Sequence, residues 1–269
     1  TLAAFLGVLQ NGFVNWDDPV NFLDNPHYRG LGPSQLAWMF TTFHMGHYIP
    51  LTWLTLGADY LVWGMDPKGY HITSLLFHAA TALCLYALSR RLLARALPPR
   101  TPAADIMLGA AASALFFAVH PLRVESVAWV TERRDVVSGL FFILALLAWL
   151  NAVEGSHALR RRWYAGSLVL FASALLSKSL TLGLPVVLVV LDVYPLRRLG
   201  GSRGWLVRRV WLEKVPYVVL AAAAAVVAIA ATPASAKASL ESFGLGSRAV
   251  VAAYGLGFYL VKTVLPLGL

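Results

Sequence analysis

Apolar and polar stretches alternate along this chain with a long period. Mostly apolar runs fall near residues 1–14, 70–93, 105–120, 135–153, 163–178, 180–195, 214–232 and 247–266. A helix needs about 20 such residues to cross a hydrocarbon core, and fewer inside a bundle. The pattern therefore predicts an all-α membrane protein, a polytopic helical bundle. Thr1–Val14 reads as the tail of a membrane helix already under way and Leu269 ends another, so both ends read as cut. The long interruption at 15–69 exceeds what a connector needs, and ordered loops of that length are usually functional. Within it, Ser34–Phe40 predicts a short helix capped by Ser34 behind Pro33. Leu51–Gly64 carries Trp53, Tyr60 and Trp63, which favour a membrane–water interface. Both pieces are expected to lie along the surface; a re-entrant course for 51–64 is the second reading, since it is too short to cross.

Charge orders the segments. The connections 90–100, 154–162 and 197–214 are rich in arginine, with Lys214 closing the third. They alternate with 15–69, 121–135 and 233–246, which gives one topology with the basic loops cytoplasmic and the first loop extracytoplasmic. Composition agrees, at 58% hydrophobic and 13% charged, where a soluble domain is about a quarter charged. The net charge of +9 is spread between apolar segments rather than gathered in a patch, so no nucleic-acid partner is expected. The single cysteine, Cys84, excludes an internal disulfide.

The densest chemistry lies in His120–Asp135, where six charged residues and a histidine stand between two apolar runs. Charge at a bilayer edge is costly unless it faces water, a partner or a ligand. Arg133 and Arg134 suit a phosphate through their planar forks, Lys178 is a second cation on the same side, and Glu125 is a candidate partner for one of these cations. Asp17 and Asp18 leave the first apolar run as adjacent carboxylates, one able to act as a base or both to hold a cation. His71 and His78 are seven apart and share a helix face. His44 and His47 have a metal-like spacing with no third ligand nearby, so they read as interfacial or substrate-facing. Asp192 falls on the cytoplasmic side, away from this surface. The sum is carboxylates from the first loop facing cations from two later connections, which fits a lipid-linked phosphate as leaving group.

Several of these stretches resemble one family. Trp16-Asp17-Asp18, Asn25-Pro26-His27, Pro50-Leu51-Thr52-Trp53, Gly69–Ala80, His120-Pro121 through Glu132-Arg133-Arg134-Asp135, Leu176-Ser177-Lys178 and Leu191–Leu196 are similar to the transmembrane-and-TPR-repeat O-mannosyltransferases. The resemblance runs over roughly 10–200 and is most specific in the His120–Asp135 block. It implies a GT-C-like fold over 1–269, partial, with the first extracytoplasmic loop at 15–69 and no TPR region. It implies an inverting glycosyltransferase that moves a sugar, mannose or another hexose, from a polyprenyl or dolichyl phosphate to a protein or glycan acceptor. By that analogy the base is Asp17 or Asp18. Arg133, Arg134 and Lys178 would hold the donor phosphate, supported by His120, Glu125, Glu132, Asp135, His71 and His78. A divalent metal stays open as a cofactor, and membrane lipid is a further partner. The compartment would be a bacterial inner membrane, or the endoplasmic reticulum in a eukaryote. The family's usual Glu-Arg-Lys-Asp reads Glu-Arg-Arg-Asp here, and its Ala-Lys-Pro reads Ser-Lys-Ser. Rival readings are a flippase or transporter for a lipid-linked substrate and a non-catalytic membrane scaffold. A transporter is expected to show paired repeats and helices broken at the midplane; no convincing repeat stands out, and the charges sit at one face rather than the middle.

Overall fold

The computed structural model describes residues 1–201, 204–233 and 243–268, with no side-chain account of His157 or Leu180. Arg203 and most of the loop 233–246 lie outside the described residues. Among the described residues there is no strand. The helices are α1 (Pro33–Thr41), α2 (Pro50–Trp63), α3 (Pro67–Ala96), α4 (Ala103–Val119), α5 (Val124–Ala128), α6 (Arg133–Glu154), α7 (His157–Ser177), α8 (Leu184–Val193), α9 (Arg208–Leu212), α10 (Val215–Ala231) and α11 (Leu245–Val264). The chain is an all-α membrane protein.

By length and apolarity, three helical stretches among the described residues suffice to cross a membrane: Pro67–Ala96, Val130–Glu154 and Arg208–Ala231. A fourth is the pair Ala103–Val119 and Pro121–Ala128, bent by 55°. The bend follows from Pro121, which has no N–H to give and forces the residue before it out of the helical region; His120 sits at φ −65°, ψ 132°. The eight expected segments are thus not eight equivalent spans. The first is a short 3-10 helix, Ala3–Gln10, and α8 has only 10 residues.

Packing supplies the rest. α6 lies along α7, and α3 packs on both α4 and α6. On α4 the buried residues are Ala110, Ala114 and Ala118, a four-residue spacing of small side chains that lets helices approach closely. Trp149, Leu150, Phe171, Leu184, Leu188 and Tyr217 form the main core between α6, α7, α8 and α10.

The first loop builds its own core from Phe22, Tyr28, Met39, Trp53, Leu56 and Tyr70, closed by Val130. Trp53 is only 2% exposed, so its ring packs inward against Phe22, Tyr28 and Trp38 and not at an interface as expected. α1 starts at Pro33 with Gly32 as its cap. Ser34 instead donates to the Gln35 side chain. Gly57 is where α2 crosses this loop: a Cβ there would lie 2.7 Å from the Gly30 carbonyl and 2.8 Å from Met39 Cε.

Candidate active site

The adjacent carboxylates diverge as soon as the chain turns into Pro19–Leu23. Asp18 is fully buried. Its Oδ2 accepts from the Val14 amide at 2.7 Å, and its Oδ1 from Trp129 Nε1 at 2.9 Å, the Thr131 amide at 3.2 Å and Thr131 Oγ1 at 2.6 Å. It ties the first loop to the polar cluster. Asp17 is half-buried. Its carboxylate takes no hydrogen bond and no ion pair among the described residues, and it lines a small cavity of about 50 Å³ with Asn21, His44, His47, Thr131 and Arg134.

The cations separate in the same way. Arg133 is fully buried: Nε donates to Ser74 Oγ at 2.8 Å, and Nη2 donates to Asp59 Oδ2 at 2.7 Å and to the Tyr70 carbonyl at 2.6 Å. It braces α6 against α2 and α3 and lines neither of the two cavities beside the cluster, so the fold does not bring it together with the other two cations. Arg134 and Lys178 do come together, both on Glu132. Arg134 Nε donates to Glu132 Oε1 at 3.1 Å, and Lys178 Nζ lies 2.9 Å from Oε2. Lys178 also pairs with Asp135, which accepts from Ser126 Oγ at 3.0 Å. Lys178 is placed by the end of α7, where Thr52 Oγ1 donates to the Ser177 carbonyl at 2.9 Å. Glu125, expected as a partner here, is exposed and makes no ion pair among the described residues. Its place is taken by Glu132 and Asp135.

The supporting histidines lie apart from this surface. His71 Nε2 is 3.4 Å from the Gly12 carbonyl, and His78 Nε2 is 3.0 Å from that of Ala118. His120 caps the turn, its Nδ1 accepting from Leu122 at 3.2 Å while Nε2 donates to the Thr263 carbonyl at 3.0 Å. All three are buried. Among the described residues no three His, Cys, Asp or Glu side chains gather as a metal cage.

A larger cavity of about 490 Å³ opens beside the cluster. Its polar end is His47, Arg134 and Lys178, and its walls are Leu175 and Leu176 of α7 with Leu220, Ala223, Ala224 and Val227 of α10. His47, Ile49 and Arg134 line both cavities, so the two are neighbours across one wall. Burial, then the nearby Arg134 guanidinium, holds the His47 imidazole below its ordinary range, so it is neutral near pH 7.

Part of this chain is similar in sequence to several protein O-mannosyl-transferases. Protein O-mannosyl-transferase Tmtc1 of Drosophila melanogaster is 32% identical over 174 residues, 62% of this chain and 18% of the relative. Protein O-mannosyl-transferase TMTC2 of Homo sapiens is 30% identical over 154 residues, 56% and 17% respectively. TMTC4 of Homo sapiens is 34% identical over 140 residues, 49% and 19%. This chain is a homologue of the TMTC protein O-mannosyl-transferases. It spans less than a fifth of the length of these curated relatives. No family model and no solved structure matches the chain.

Set beside that kinship, the site contains residues that sequence reasoning left out. Thr131 relays Asn21 to Asp18, receiving from Asn21 Nδ2 at 3.0 Å. The alanines of α10 shape the apolar wall. Neither carries a signal in one sequence: threonine and alanine are common, and their roles appear only once distant segments meet.

Proposed function

We propose that this chain forms the donor site of a glycosyltransferase that takes mannose or another hexose from a polyprenyl phosphate and passes it, with inversion, to an acceptor hydroxyl. The observation that carries this reading is the single run from apolar groove to cation pair to unpaired carboxylate. The groove between α7 and α10 suits a prenyl chain. Arg134 and Lys178 stand where its phosphate would end. Glu132 and Asp135 leave both cations with spare N–H groups, since guanidinium has five donors and ammonium three. Asp17 lies beyond Arg134, across the small cavity.

In the reaction the acceptor oxygen attacks the anomeric carbon, its proton passes to the Asp17 carboxylate, and the bond from that carbon to the phosphate oxygen breaks. The electron pair leaves on the lipid phosphate, whose charge Arg134 and Lys178 stabilise. A protein hydroxyl as acceptor is supported by similarity to relatives that are protein O-mannosyl-transferases by name.

The test is transfer of labelled mannose from polyprenyl phosphate mannose, in membranes carrying the full-length protein. Asp17→Asn is expected to lower transfer by about 100- to 10,000-fold, the range for loss of a general base, with protein level unchanged. Transfer indifferent to Asp17→Asn would remove the proposed base. A lipid-linked sugar that crosses the bilayer without transfer would favour a flippase.

A further inference from the structure

A second concentration of charge lies at the other end of α7. Lys178 follows the last residue of α7 and Arg160 lies in its first turn, about 27 Å apart at 1.5 Å per helical residue. Arg160 and Arg161 of α7 and Arg208 and Arg209 of α9 line one open cleft of about 820 Å³ with Tyr164 and Glu213. Glu213 is the one carboxylate among the lining residues, and it is already committed. It pairs with Arg160 and Arg198 and lies 3.7 Å from Arg209. The neighbouring carboxylate, Asp192, holds Arg198 at 2.9 Å and Lys214 at 2.6 Å. Arg161 and Arg208 are exposed and meet no carboxylate within ion-pair distance among the described residues. The cleft therefore carries an excess of guanidinium donors with nothing to bind.

The segment 205–212, which supplies Arg208, Arg209 and Leu212 to the cleft, has a second character. Trp205 is 59% exposed, Leu206 93%, Trp211 41% and Leu212 55%, and the Trp211 indole donates to the Trp205 carbonyl at 2.8 Å. Exposed indoles and leucines interleaved with arginines belong at the level of lipid head groups, where rings sit in the interface and cations meet anionic lipid. A purely topological role for these arginines requires only their number in the loops. It does not require two separate connections to converge on one concave surface.

We propose that this cleft binds the phosphate of an anionic glycerophospholipid head group, with Arg161 and Arg208 as its free forks and Trp205 and Trp211 resting against the acyl boundary. The site is distinct from the donor site and does not rest on glycosyl transfer.

The experiment uses the full-length protein in detergent, with dioleoyl-phosphatidylglycerol or dioleoyl-phosphatidylcholine added, reading retained lipid by native mass spectrometry and the melting midpoint in parallel. Phosphatidylglycerol is expected to be retained preferentially and to raise the midpoint. Replacing both Arg161→Gln and Arg208→Gln is expected to weaken retention by about 25-fold, from roughly a fivefold loss per cation, with the lipid-free midpoint unchanged. Equal retention of the two lipids, or undiminished retention by the double variant, overturns the proposal. Equal stabilisation by inorganic phosphate alone overturns the lipid as ligand. If the glutamine variant is not recovered folded, Arg161→Lys with Arg208→Lys carries the test: the charge stays and the fork is lost. Weaker retention then supports the site, and unchanged retention overturns it.

Discussion

Asp17 and Asp18 are neighbours in the chain, yet one faces a cavity and the other is surrounded by four hydrogen-bond donors. Their substitutions should fail differently. Asp18→Asn turns an amide N–H₂ toward groups that already donate and removes charge-assisted bonds worth about 1.5–3 kcal/mol each. A lowered melting midpoint and less folded protein are expected, before any effect on chemistry. Arg133→Gln belongs with Asp18: it strands Asp59 in a buried pair, at a cost of about 3–5 kcal/mol. It should lower stability without the donor-specific rise in KM expected of Arg134→Gln. A melting curve beside a donor titration separates the two. His47 sets a pH dependence. Burial, then Arg134, depresses its folded pKa, whereas in the unfolded chain it titrates near 6.5. The unfolded state therefore binds more protons as pH falls. The stability His47 contributes is full above about pH 6.5 and is lost as pH drops through the folded value. His47→Gln should flatten the acid side of a plot of melting midpoint against pH; an unchanged slope there would assign the acid loss to other groups.

At the scale of elements, the apolar face of α10 is the part of the site with the plainest steric content. Ala224 lines the groove and also touches the main core. Ala224→Phe should fill the groove, raise KM for a long polyprenyl donor and leave a short-chain donor less affected; an equal loss for both donors would place the fault in folding. The existence of most helices was legible, because apolar runs of that length have few other ways to satisfy their backbone groups. The break at His120-Pro121 has its cause in the proline, but its angle of 55° could not be read from the sequence. Trp53 was misread because an indole suits both an interface and an aromatic core, and only the fold of residues 13–70 decides between them. Arg133 and Arg134 could not be told apart in sequence. They share one chemistry, and the start of α6 turns one inward to Asp59 and the other toward the cavities.

At the scale of the whole molecule, charge is sorted to two ends. Arg95 pairs with Glu154 at 2.7 Å, Tyr194 donates to the Ala96 carbonyl at 3.1 Å and Arg91 donates to Asn151 at 2.6 Å. These contacts gather the ends of α3, α6 and α8 beside the arginines of α7 and α9. Asp17, Glu132, Arg134, Asp135 and Lys178 gather at the opposite ends of α6 and α7. The loop alternation predicts this segregation, because a bundle of antiparallel helices must place successive connections on opposite faces. By the positive-inside rule the arginine-rich end is expected to be cytoplasmic. The proposed donor site at the other end would then open to the extracytoplasmic face, and that orientation is open to direct measurement. In a Cys84→Ser background, Glu125→Cys and Arg100→Cys place single thiols at exposed positions on the two ends. A membrane-impermeant maleimide should label the thiol at 125 in intact cells and the thiol at 100 only after permeabilisation. The reverse order would put Asp17 and the cation pair in the cytoplasm, where the reaction would have to draw on a donor facing that side. Labelling of both in intact cells would mean that the two charged ends are not separated by a bilayer, and the reading of α3 and α6 as spans would fall with it.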